Sequence, residues 1–213
     1  MSSLDFLRGN AAVLLVLATA VFILVIPSVR LAVIGLAIQY FALMLLYLDV
    51  IDPRLALVKL LVGWFVCLIL AVTGQQVQWG RASNKIKSQS VMVGKRRFPV
   101  TAVRGVLALV MLGIVWLLAQ QDFSFALPES LAYLNLAVYG LVGFGLLGVL
   151  TSSDEPLRAG MGMLMLIAGL ELYTTSLVDQ TPGSLLLMAA VNLIVVLVVA
   201  ALVQKRYVPL MNF

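Results

Sequence analysis

Two ionisable side chains interrupt runs that are otherwise apolar: Lys59 in LALVKLLVGW and Glu171 in LMLIAGLELYTTSL. A charge at the centre of a bilayer costs at least ~2.5–3.5 kcal/mol, so residues of this kind face a protein interior and commonly mark an ion or proton path. Burial disfavours the charged form of a carboxyl group and lets it exchange protons near neutrality. Glu171 is therefore expected to titrate or to pair during ion movement; the alternative is a neutral acid that glues helices by hydrogen bonding. For Lys59 the alternative is snorkelling, in which the long stem carries the ammonium to the outer interface. Asn192, in MAAVNLIVV, falls near mid-membrane, and Gln39, Tyr40, Thr174 and Thr175 are candidate polar helpers. A Lys59–Glu171 pair, if charged and dry, would add little to stability, so its retention would favour a role in function or assembly.

These residues need helices to hold them. The chain of 213 residues is 63% hydrophobic and 11% charged, against roughly 45–50% and 25% in a soluble domain, which makes it an integral membrane protein. A span takes roughly 20 mostly apolar residues. On that basis the sequence predicts an all-α fold with seven transmembrane helices, near 10–27, 31–48, 55–73, 101–120, 131–150, 159–177 and 184–203. Glu171 then lies ~18 Å from the start of the sixth span at 1.5 Å per residue, while Lys59 is only a few residues into the third. Three portions follow: 1–100, three helices and a basic loop; 101–130, a linking helix and outside loop; 131–213, a three-helix unit with a basic tail.

The net charge of +5 is a matter of topology. Arg30, Arg81, Lys85, Lys87, Lys95, Arg96, Arg97, Arg104, Arg158, Lys205 and Arg206 fall on alternate connections or at the C-terminus, and Asp49, Asp52, Asp122, Glu129 and Asp179 on the opposite set. Lys and Arg concentrate on cytoplasmic loops, which predicts an outside N-terminus and a cytoplasmic C-terminus. Arg8 and Arg54 are basic exceptions outside. Asp154 and Glu155 fall inside, where acidic residues weigh little. The opening MSSLDFLR lacks the strongly basic start of a signal peptide, so the first helix is expected to remain as an anchor.

The longest connection, 75–100, gathers Arg81, Lys85, Lys87, Lys95, Arg96 and Arg97 beside Trp79. It reads either as a docking surface for a soluble partner or anionic lipid, or as a basic loop that only fixes topology; nucleic acid is not an expected partner. Leu48–Pro53 and Leu177–Pro182 are similar outside segments, each with Asp before Pro ahead of an apolar helix, so spans 1–3 and 5–7 read as parallel repeats or simply as ordinary helix entries. Gly140, Gly143, Gly145 and Gly148 in the fifth span predict a tight helix–helix interface. With a single cysteine, Cys67, and no histidine, intrachain disulfides, cysteine clusters, histidine-ligated haem and the usual zinc sites are excluded. No catalytic residue, metal or cofactor is expected.

Residues 133–206 resemble the K-type small subunit of complex I and its relatives in Mrp-type antiporters. The likeness rests on a Gly-rich helix (LAVYGLVGFGLLGVL), a helix carrying Gly169-Leu170-Glu171, and a helix opening Met188-Ala189-Ala190-Val191-Asn192 before a basic tail. The resemblance implies a proton-transfer carboxylate on each of the last two helices; Glu171 matches the first, and Asn192, which cannot titrate, stands at the second. The whole chain is similar to component E of hydrogenase-4-type complexes, whose intramembrane lysine Val58-Lys59-Leu60-Leu61 resembles.

What this implies is a non-redox subunit of the membrane arm of a complex I-like or group 4 hydrogenase-like assembly, in a prokaryotic cytoplasmic membrane. Its partners would be antiporter-like membrane subunits and a peripheral redox arm. Lys59 and Glu171 would join a hydrated polar axis, with Asn192 relaying through hydrogen bonds or water. The competing expectations are a free-standing transporter of small solutes or ions, and a membrane anchor whose basic loop holds a soluble partner.

Overall fold

Proline and short polar breaks set the ends of most helices. In the computed structural model, which describes residues 9–77, 79, 90–93, 96–120, 127, 131–152, 155–178 and 181–207 (for 90–93, 96–100, 132 and 182 the backbone alone), the helices are α1 (Asn10–Val25), α2 (Val29–Tyr47), α3 (Pro53–Gln76), α4 (Val100–Ala119), α5 (Ala132–Thr151), α6 (Pro156–Leu177) and α7 (Pro182–Tyr207). Pro53, Pro156 and Pro182 each stand at the first helical position, where the missing N–H is not needed and the fixed φ suits the helix. Pro27 lies between α1 and α2 and cannot donate to a continuing ladder. The expected boundaries are met within two residues except at the start of α6, which begins three residues early at Pro156, and at the ends of α3 and α7, which run on to Gln76 and Tyr207. Lys205 and Arg206 sit in the last turn of α7, where positive charge favours the helix dipole.

Six of these helices, α2 to α7, are long and apolar enough to cross a membrane; α1, the expected first span, is a shorter apolar helix of 16 residues. The chain is a multi-pass helical membrane protein. One departure from the expected loop is a short antiparallel ribbon, β1 (Ser90–Val93) on β2 (Arg96–Pro99), in register Ser90 with Pro99 and Val93 with Arg96. Val91, Val93 and Phe98 are residue types that suit a pleated strand. Of the basic docking candidates, Arg81, Lys85, Lys87 and Lys95 lie outside the described residues, and Arg96 and Arg97 are described as backbone only.

Packing follows a ring. α1 meets α2, α2 meets α3, α3 meets α7, α7 meets α6, α6 meets α5 and α5 meets α1, while α2 also touches α6 across the middle and α4 lies outside against α5 and α1. The most extensive contact joins α5 to α6. It depends on bare backbone: a Cβ on Gly145 would come within 2.5 Å of Leu166 N, and one on Gly162 within 2.8 Å of Val149 N. Helices in lipid gain from such close approach because apolar contact alone offers nothing over the acyl chains. Gly148 also faces α6, whereas Gly140 and Gly143 abut Leu17 of α1 and Met111 of α4.

The two ends of the bundle differ in charge. Gln204 donates to Gln76 at 3.0 Å, Arg104 to the Thr151 carbonyl at 3.2 Å, and Arg158 to the Pro27 carbonyl. These bonds gather the start of α4 and α6, the α1–α2 turn and the ends of α3, α5 and α7 at one end. At the other end Tyr133 of α5 donates to Asp49, beyond the end of α2, at 3.1 Å.

Candidate functional site

α3 and α6 run in opposite senses, so Lys59, six residues after Pro53, and Glu171, six before Leu177, fall at one depth, each ~9 Å from the same end at 1.5 Å per residue. Lys59 Nζ donates to Glu171 Oε1 at 2.7 Å, and the two side chains are only 8% and 11% exposed. Thr175 Oγ1, one turn beyond Glu171, lies 3.3 Å from the same ammonium. The Tyr47 ring, at the end of α2, faces it from 4.4 Å, a distance at which the negative face of an aromatic ring attracts a cation. Lys59 therefore does not snorkel; its donors are spent on partners within the bundle.

The second carboxylate oxygen has a different partner. Asn192 Nδ2 of α7 donates to Glu171 Oε2 at 3.3 Å and to the Met188 carbonyl at 3.2 Å. Both neighbours are acceptors, which fixes the direction of the amide: the nitrogen must face them. Glu171 thus ties α3 to α7 through its two oxygens. A carboxylate at 192 could make neither bond without first binding a proton.

A cavity of about 30 Å³ adjoins the cluster, lined by Tyr40, Tyr47, Lys59, Glu171 and Asn192 among other residues. Tyr40 Oη, Tyr47 Oη and Asn192 Oδ1 are buried with no hydrogen-bond partner among the described residues. Buried polar groups are rarely left unpaired, and a polar cavity above roughly 10–15 Å³ accommodates a water molecule. Leu43, Met44, Val58 and Leu60 also line the cavity, so its walls are largely apolar, and the unpartnered groups of Tyr40, Tyr47 and Asn192 mark where a water would bind.

The sequence-predicted helpers divide. Tyr40 lines the cavity and Thr175 contacts Lys59. Thr174 instead returns its hydroxyl to the Glu171 carbonyl at 3.1 Å, the local bond that threonine commonly makes within a helix. Gln39 is 1% exposed, and both of its amide atoms lack partners among the described residues, but it does not line the cavity. Tyr47 was not anticipated. Its signal is spacing: seven residues after Tyr40, two helical turns along, it repeats the same face of α2.

Among the described residues no three His, Cys, Asp or Glu side chains gather into a metal site. Cys67 is buried and unpaired. Compared with protein families, with curated proteins and with solved structures, the chain matches none.

Proposed function

We propose that the protein is a seven-span, non-redox subunit of the membrane arm of a complex I-like or group 4 hydrogenase-like ion-translocating complex, with its C-terminus cytoplasmic. In this reading Lys59, Glu171 and Asn192 form one segment of a hydrated polar path along the arm. The observation that carries it is the Lys59–Glu171–Asn192 chain, buried and set against a water-sized cavity that Tyr40 and Tyr47 also line. A buried ion pair is weak evidence for stability, since well-packed apolar side chains often do as well. Its presence in a span is better accounted for by charge movement.

The chemistry is proton and hydrogen-bond relay. Glu171 supplies the carboxylate of the relay and Lys59 its counter-charge. Asn192 cannot titrate, but it presents an acceptor oxygen to the cavity side and a donor to Glu171, so it can orient a water between them. Tyr40 and Tyr47 supply hydroxyls that donate and accept. The orientation rests on Arg30, Arg104, Arg158, Lys205 and Arg206 sharing one end while Asp49 and Asp52 share the other. A cavity of about 30 Å³ suits water and protons far better than an organic solute, which disfavours a free-standing solute transporter.

Gentle purification of the tagged chain from native membranes tests the reading. Co-purifying antiporter-like subunits with a peripheral redox arm support it, and Glu171→Gln in that complex is then expected to reduce ion translocation while leaving assembly intact. A lone protein or homo-oligomer, reproduced across mild detergents, overturns it.

A further inference from the structure

The groups around Lys59 Nζ make a cation site that the chain fills with its own side chain. Nζ donates to Glu171 Oε1 at 2.7 Å and to Thr175 Oγ1 at 3.3 Å, both on α6, and the Tyr47 ring of α2 covers it from 4.4 Å. Gly63, one turn after Lys59 on α3, lets α2 close over the same place, because a Cβ there would collide with the Tyr40 ring. Leu43, Met44, Val58 and Leu60 complete the walls. The second carboxylate oxygen, Glu171 Oε2, faces an amide donor, Asn192 Nδ2, at 3.3 Å. Tyr40 Oη, Tyr47 Oη and Asn192 Oδ1 make no bond to the ammonium.

This set of neighbours separates two classes of cation. A bare alkali ion must exchange its water shell for oxygen ligands on several sides. Here one carboxylate oxygen and one hydroxyl meet the charge, and an aromatic face and aliphatic side chains stand around them. An organic ammonium fits better: its N–H groups donate to the two oxygens, its charge lies over the ring and its alkyl part lies against the aliphatic walls. We infer that this is a site for a primary alkylammonium, occupied by Lys59 as a tethered ligand, which keeps Na+ and K+ from the Glu171 carboxylate. Displacing the tethered group would leave a buried ammonium without its carboxylate, which is costly. Lys59 is thereby the selectivity element of the path, which passes protons and not alkali cations. That last step rests on the relay proposed above; the site itself does not.

Thermal unfolding of the purified full chain in mild detergent, at one pH and one total chloride concentration, tests it. Lys59→Ala removes the atoms from Cγ to Nζ, which are those of propylammonium. Its midpoint should fall, and propylammonium chloride should restore most of the loss, the shift growing with concentration as ligand binding requires. Na+, K+ and choline, which has no N–H to donate, should restore little. The wild type, its site already filled, should respond alike to all four salts, and adding Glu171→Gln to Lys59→Ala should abolish the advantage of propylammonium. The inference fails if Na+ or K+ restores Lys59→Ala as well as propylammonium does, if propylammonium restores nothing, if Na+ stabilises the wild type above the other salts, or if the rescue survives Glu171→Gln. Should Lys59→Ala not fold by itself, folded protein should be recovered when propylammonium is present throughout purification and not when choline is; recovery with neither overturns the site. A chain that purifies alone would sink the subunit reading and leave these titrations unchanged.

Discussion

Lys59 and Glu171 are 112 positions apart in the chain and 2.7 Å apart in space, and the contact makes α3 and α6 mutually dependent. Removing one charge from a buried pair leaves the other unpaired, at a cost of roughly 3–5 kcal/mol, whereas replacing both with apolar side chains is often neutral or better. Lys59→Met and Glu171→Leu are each expected to lower the thermal midpoint in detergent, and the double variant to recover most of the loss. If the double variant is as unstable as the sum of the singles, the two residues do not act as a pair.

The positions of the helices were legible because each is a long apolar run, and Pro53, Pro156 and Pro182 marked three starts. The pairing was not. In a membrane both the lipid-facing and the protein-facing sides of a helix are apolar, so the sequence carries little periodicity to tell which side of α3 faces α6. Counting residues from the span ends already suggests a similar depth for Lys59 and Glu171, but not facing sides; only the packed helices bring the two side chains together. Gln39 and Thr174 are candidate helpers on depth alone; Thr174 bonds the Glu171 carbonyl of its own helix, and Gln39 does not line the cavity. The ribbon from Ser90 to Pro99 was hidden by its basic composition, which reads as loop.

Asn192 offers a sharper test of the relay. Its amide donates to Glu171 Oε2 at 3.3 Å, so Asn192→Asp would set two carboxylates against each other, and neighbouring carboxylates do not both ionise readily. The variant is expected to hold a shared proton, visible by infrared difference spectroscopy as a protonated carboxyl band that Glu171→Gln removes from the Asn192→Asp background. Two fully ionised carboxylates at neutral pH would contradict the geometry.

Tyr47 contributes its ring and its hydroxyl separately. Tyr47→Phe retains the face opposite Lys59 and removes the hydroxyl at the cavity, so stability should change little while any water-dependent ion movement falls. Tyr47→Leu removes the cation–π contact as well, for about 0.5–2 kcal/mol. Equal stability of the Phe and Leu variants in thermal unfolding would show that the ring does not hold the ammonium.

The α5–α6 interface gives a prediction independent of charge. A side chain on Gly145 or Gly162 meets backbone atoms of the facing helix at 2.5–2.8 Å, and backbone cannot rotate aside as a flexible side chain can. Gly145→Ala and Gly162→Ala must therefore push the helices apart, disturbing Glu171 on α6 as well as the local packing; overpacking of this kind typically costs about 1–3 kcal/mol. Gly113 on α4 has nothing within 4 Å of an added Cβ. Gly113→Ala should be neutral or stabilising by about 0.5–1 kcal/mol, since alanine is the better helix former. Thermal unfolding of the three variants in one detergent checks the argument: a uniform response to alanine would mean that helix propensity, and not the distance between α5 and α6, governs these positions.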